Sequence, residues 1–193
     1  MARCFFAIDL PPAVREEIER LQAGLKTARA DVKWVRPTGV HLTIKFLGDV
    51  EENTIPALAA AASEAIAGNR ALPLRIAGTG VFPSPSRPRV VWLGLGGDLA
   101  GLERLRRDVE TVAAGFGFAP ENRPFKPHLT LGRVRSERGR TELLAGLEKL
   151  DPGPVEFTAG EVILFKSDLR PSGAVYTALH RMTLGGMTKE TDS

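Results

Sequence analysis

The chain has 193 residues, 43% of them hydrophobic and 25% charged, an ordinary globular composition sufficient for one good core or two small lobes. No apolar run approaches the length of a membrane span, and in the opening MARCFFAIDLPPAV Asp9, Pro11 and Pro12 cut the run shorter than a signal peptide's core. The single Cys4 excludes an internal disulfide and fits a reducing compartment, so a cytoplasmic protein is expected. The net charge is +3 and the pI about 9.3. Most of the positive charge is arginine, which grips phosphate in bidentate fashion, a balance compatible with RNA or nucleotide substrates without requiring them.

In chain order, Arg3 to Asp9 reads as a buried strand. A helix follows from Pro12, with Val14, Ile18, Leu21 and Leu25 on one stripe and proline in its first turn. Val32 to Val35 is short and extended, and a strand beginning at His41 ends at Gly48. Thr54 is placed to N-cap a helix carrying Ile55, Leu58, Ala62 and Ile66. Leu72 to Val81 is a strand, and the loop FPSPSRPR marks a turning point. Val90 to Leu95 is the next strand, containing Trp92. Leu99 to Ala114 is an amphipathic helix with Leu102, Leu105, Val109 and Val112 inward. The irregular FAPENRPFKP leads into a strand from His128. A helix from Thr141 presents Leu144, Leu147 and Leu150. Two strands, Val155 to Phe165 and Ala174 to Leu184, close the domain (residues 1–184), and residues 185–193 read as a frayed tail.

Two of the three histidines open the same tripeptide: His41-Leu42-Thr43 and His128-Leu129-Thr130. Both lie in runs rich in β-formers, VHLTIKFLG and PHLTLGRV, which read as strands. Side chains alternate along a strand, so His41 and Thr43 share one face while Leu42 and Ile44 share the other. The same holds for His128 and Thr130 against Leu129 and Leu131. Each half of the chain reads strand, helix, His-Leu-Thr strand, helix, strand. Phe6 to His41 spans 35 positions (41 − 6) and Trp92 to His128 spans 36 (128 − 92). The pattern is that of a duplication giving two α+β lobes about a rough twofold, with the histidine strands lining a shared groove.

A lone strand histidine is more often structural, but the repeated tripeptide asks for a common cause. A metal site needs three or four ligands, and beyond the pair only His180, Cys4 and scattered carboxylates remain, with no HxH or HExxH spacing. No metal is therefore expected. Two imidazoles without a metal suit general acid and base work, and Thr43 and Thr130 would hydrogen-bond the oxygens of a phosphate. Strict alternation aims Arg133 away from His128, so a place in the groove requires a bulge, which Gly132 permits. Lys45 shares the parity of His41 and faces the groove edge on that count. Phe125 and Trp34 are placed to stack on a base or simply to pack. Tyr176 and Ser167 are rim polar groups or plain strand residues, and His180 is structural or exposed.

At these residues the chain resembles the 2H phosphoesterase superfamily, named for two His-x-Thr/Ser-x motifs, and within it the RNA 2′,3′-cyclic phosphodiesterases, also called 2′-5′ RNA ligases or LigT-like proteins. The likeness runs through RCFFAIDLPP, WVRPTGVHLTIKFLGDV, FPSPSRPRVVWLGL, RPFKPHLTLGRV and LFKSDLRPSGAVYTAL. It implies a bilobal α+β fold of antiparallel-rich sheets with outer helices, a pseudo-twofold cleft, and neither metal nor other cofactor. It also implies hydrolysis of a terminal 2′,3′-cyclic phosphate, on RNA or a small cyclic nucleotide, to a 2′-phosphate. By position, His41 would be the general acid and His128 the general base, while Thr43 and Thr130 bind the phosphate; Arg133 and Phe125 are further substrate-binding candidates from their place beside the second motif. The alternatives are a 2′-5′ ligase of tRNA halves using the same site, and an RNA- or nucleotide-binding module without chemistry. A monomer with no membrane partner is expected.

Overall fold

The computed structural model describes residues 1–170 and 173–185. From residue 186 on, the expected tail lies outside them. The strands are β1 (Ala2–Ile8), β2 (Val32–Trp34), β3 (Leu42–Val50), β4 (Leu72–Phe82), β5 (Val90–Gly97), β6 (His128–Val134), β7 (Glu156–Ala159), β8 (Glu161–Arg170) and β9 (Gly173–Thr183). The helices are α1 (Pro12–Lys26), α2 (Ile55–Ile66), α3 (Leu99–Gly115) and α4 (Arg140–Lys149), with a 3₁₀ turn at Pro37–Gly39. The protein is thus α+β, and every strand pairing among the described residues is antiparallel.

The strands run in the order β7-β4-β5-β6-β3-β1-β8-β9, with β2 paired to β6. The order is a palindrome about the β6–β3 junction: β5 between β4 and β6 answers β1 between β8 and β3. The two lobes join there through one residue pair, Leu42 with Leu129. The lobes are not the two halves of the chain, because the halves exchange strands. β4 follows α2 but pairs with β5, and β8 follows α4 but pairs with β1.

Helix α1 buries the expected stripe of Val14, Ile18, Leu21 and Leu25. Asp98 caps α3 by accepting a bond from the Gly101 amide at 2.8 Å. Thr54 stands at the start of α2 with helical backbone and makes no capping bond, since a cap needs an extended backbone to turn its oxygen onto the helix. In α4 the inward stripe is Leu143 and Leu147, one turn apart. Leu144 is only half-buried, and Leu150 lies past the helix end. The strand expected from Val155 to Phe165 is two strands broken at Gly160: β7 edges one lobe beside β4, and β8 belongs to the other beside β1. The helices cover the sheet face to which Leu42 and Leu129 point, and both leucines are wholly buried in the core.

Candidate active site

The Leu42–Leu129 pair fixes the geometry of both motifs. In an antiparallel ladder its neighbours stand opposite one another, so His41 falls across from Thr130 and Thr43 across from His128. With both leucines in the core, His41, Thr43, His128 and Thr130 all turn to the open face, and all four are half-buried. Diagonal neighbours across a ladder lie roughly 7–8 Å apart, so the two histidines stand as diagonal neighbours on that face, each across from a threonine.

The two rings are held alike. His41 Nδ1 donates to the Gly39 carbonyl at 3.1 Å, and His128 Nδ1 donates to the Lys126 carbonyl at 2.6 Å. A carbonyl only accepts, so Nδ1 carries the proton in each neutral ring and Nε2 keeps its lone pair. The turn beneath His41 is tied down by Arg15, which donates to the Thr38 carbonyl at 3.1 Å and to Asp9 Oδ1 at 2.5 Å.

Aromatic rings back both imidazoles. His41 lies 4.7 Å from Phe5 and 5.0 Å from Tyr176, the latter edge-on. His128 meets the edge of Phe82 at 5.0 Å, and Phe82 rests on Trp92 at 5.1 Å. Trp92, paired across from Thr130, lies flat over Gly80, where a Cβ would come within 2.4 Å of the indole. Burial among these rings pulls the His41 imidazole down to about 4, against the opposing effects of the Gly39 carbonyl and the Asp9 charge. Burial likewise raises the Tyr176 hydroxyl, while the charges of Arg133 and Arg3 draw it down.

The bulge required for Arg133 is present. The β5–β6 register shifts between Val91/Gly132 and Trp92/Thr130, leaving Leu131 as the extra residue. Leu131 and Gly132 both turn inward, and Arg133 returns to the open face. A Cβ on Gly132 would lie 2.6 Å from Val32 and 3.0 Å from Trp34, so only glycine lets these strands close here. Gln22, reaching from α1 and 1% exposed, donates to the Leu131 and Val35 carbonyls at 2.9 and 2.7 Å and pins the bulge.

β3 carries the matching bulge: Thr43 pairs with Ala7 but Lys45 with Phe6, leaving Ile44 extra. This corrects the placement that strand parity gives Lys45. The residue turns to the helical side, where it is buried and donates at 2.6 Å to both Glu110 Oε1 and the Ala119 carbonyl. Phe46 takes its place on the open face, 63% exposed and 5.7 Å from Phe5. Phe46 and Arg133 are each the fifth residue after a motif histidine, a correspondence visible in HLTIKF against HLTLGR.

Trp34 packs against Gly132 on the core side. Phe125 is likewise taken up in packing, with the Arg106 guanidinium of α3 over its ring at 5.4 Å. Tyr176 joins the His41 ring, Ser167 pairs with it across β8–β9, and His180 is exposed on β9. Among the described residues, no three His, Cys, Asp or Glu side chains gather as metal ligands, and no helix is long and apolar enough to cross a membrane. A recess of about 980 Å³ lies between α1 and α4, lined by Arg29, Arg138, Glu142 and Lys149 among others, and takes in neither motif.

Known proteins resemble this chain in sequence and in fold. An RNA 2′,3′-cyclic phosphodiesterase of Methanothermobacter thermautotrophicus is 38% identical over 178 residues, covering 91% of this chain and 95% of its own. A protein of the same name from Thermus thermophilus is 35% identical over 190 residues, covering 95% and 91%. Among solved structures, TT0787 of Thermus thermophilus superposes with a TM-score of 0.79 at 28% identity, covering 96% of this chain and all of that one. E. coli LigT complexed with 3′-AMP superposes with a TM-score of 0.76 at 31% identity, covering 95% and 98%. The model of the LigT like Phosphoesterase family matches residues 8–92 and 98–176, and the chain belongs to that family.

Proposed function

We propose that this protein hydrolyses 2′,3′-cyclic phosphate ends of RNA, or of nucleosides, to 2′-phosphomonoesters, using two histidines and no metal. The single observation that carries the reading is the Leu42–Leu129 pairing, which supports a shared site by setting both histidines and both threonines side by side on the open face. The names of the relatives support the substrate class.

In this mechanism the cyclic phosphate sits between the rings with its non-bridging oxygens accepting bonds from Thr43, Thr130 and Arg133. His128 Nε2 takes a proton from water as the water oxygen attacks phosphorus. The P–O3′ bond breaks, and His41 Nε2–H delivers a proton to the departing O3′. Burial holds the His41 ring down at about 4 in the free protein, and the negative charge of the bound cyclic phosphate favours the protonated form that the donor role needs. The adjoining base lies against Phe46, the exposed ring on the open face, in place of the packed Phe125. The same site would run a 2′-5′ ligation if an RNA 5′-hydroxyl replaced the water.

The test is turnover of a nucleoside 2′,3′-cyclic phosphate in the presence of EDTA, with the product identified. Turnover to the 2′-phosphate is expected, together with a loss of about 10²- to 10⁴-fold in His41→Ala and in His128→Ala. Activity abolished by EDTA and restored by a divalent metal would reject the mechanism, and so would an undiminished rate in either variant.

A further inference from the structure

Outside the space between the histidines, the open face of the β6 lobe carries a row of cations. Lys33 on β2 stands directly across from Arg133 on β6, and both are exposed. Like charges set opposite one another destabilise a ladder. Neither side chain has an acidic partner among the described residues, and the residue across from Arg133 on its other side is Val90. Two positions on, exposed Arg135 continues the row, its amide donating to the Asp31 carbonyl at 2.8 Å. Asp31, the residue before β2, stands across from Arg135, but its Oδ2 accepts from Ser136 Oγ at 2.8 Å and it makes no ion pair with Arg135 among the described residues. With Leu131 bulged out of the ladder, Arg135 lies about 13 Å beyond Thr130 at roughly 3.3 Å per strand residue, the length of a few stacked nucleotides at about 3.4 Å each.

We infer that Lys33 and Arg135 extend the site along the β2–β6 edge as a track for the phosphodiester backbone of an RNA strand whose cyclic end lies at the histidines. The inference rests on the function proposed above for the substrate's end and adds where the body of the strand runs. A backbone phosphate beside Lys33 offsets the like-charge cost that the Lys33–Arg133 pair otherwise carries in the ladder. Such a track makes the protein select a polynucleotide end over a free cyclic nucleotide, because a mononucleotide has nothing to lay along it.

The experiment compares a pentanucleotide ending in a 2′,3′-cyclic phosphate with a nucleoside 2′,3′-cyclic phosphate, in wild type and in Lys33→Gln/Arg135→Gln. On the pentanucleotide, kcat/KM is expected to fall by about tenfold or more, and its log–log salt slope to flatten by roughly 0.7 for each backbone phosphate no longer neutralised. On the mononucleotide, kcat/KM is expected to stay within about twofold, since no backbone phosphate reaches the track. Equal losses on both substrates, or no loss on the pentanucleotide, would overturn the track. Fluorescence anisotropy with a labelled pentanucleotide ending in a 2′-phosphate gives the same comparison without chemistry. If neither substrate turns over, weaker binding by the double variant than by wild type still supports the track while the hydrolytic function falls. Equal binding, or none by wild type, overturns the track itself.

Discussion

The two imidazoles are presented by the same device, an Nδ1–H held by the carbonyl two residues back, but their surroundings differ. His41 is boxed by Phe5, Phe165 and Tyr176. Apolar walls disfavour the imidazolium more than the Gly39 carbonyl and the Asp9 charge favour it. The sign follows: the free protein keeps His41 neutral from pH 7 down to about 4, and an anion placed beside Nε2 moves that titration upward. Following the ring by NMR through a pH titration is expected to give a midpoint of about 4, raised by a bound nucleoside 2′-phosphate. A midpoint near the ordinary histidine value, unmoved by that ligand, would contradict the account of the box.

At the scale of elements, the twin bulges decide which side chains reach the open face. Each follows its His-Leu-Thr tripeptide at the same place, with Ile44 extra in β3 and Leu131 extra in β6. One bulge delivers Phe46, the other Arg133. The β3 bulge also sends Lys45 inward to Glu110 and the Ala119 carbonyl, clamping the segment that runs on to the Lys126 carbonyl beneath His128. Lys45→Met takes the buried ammonium from Glu110, leaving it Arg106 at 3.7 Å and the Glu121 amide at 3.1 Å, and is expected to cost about 2 kcal/mol in urea unfolding, with part of the loss recovered in Lys45→Met/Glu110→Gln. A cost below about 0.5 kcal/mol, as for an ordinary surface change, would show that the pair does not hold the segment. The bulges also mark where sequence pattern stops being informative. Strict alternation placed His41, Thr43, His128 and Thr130 correctly and misplaced Lys45 one residue beyond the first bulge. For Arg133 the glycine before it signalled the exception. β3 offers no such signal, because Ile44 is as good a regular strand residue as a bulged one.

At the scale of the whole molecule, the duplicated motif and the helix stripes of α1 and α3 made the two-lobed α+β fold legible. The exchange of β4 and β8 between lobes was not, nor was the break at Gly160. Both are settled by pairing between strands far apart in the chain, and a continuous apolar run such as that from Val155 to Phe165 holds no record of which neighbour each part meets. The exchange has a structural consequence: each histidine strand lies in a lobe completed by a strand from the other half of the chain, and the lobes join where the motifs meet. The claim on which everything turns is that His41 gives a proton to the departing O3′ while His128 takes one from water. Its most direct test replaces that O3′ with sulfur in the cyclic substrate, since a thiolate of pKa about 8.5 leaves without an acid. The account predicts that His41→Ala recovers most of its lost rate on the sulfur substrate while His128→Ala recovers none. Recovery in His128→Ala alone would reverse the roles, and recovery in neither would contradict the acid–base pair.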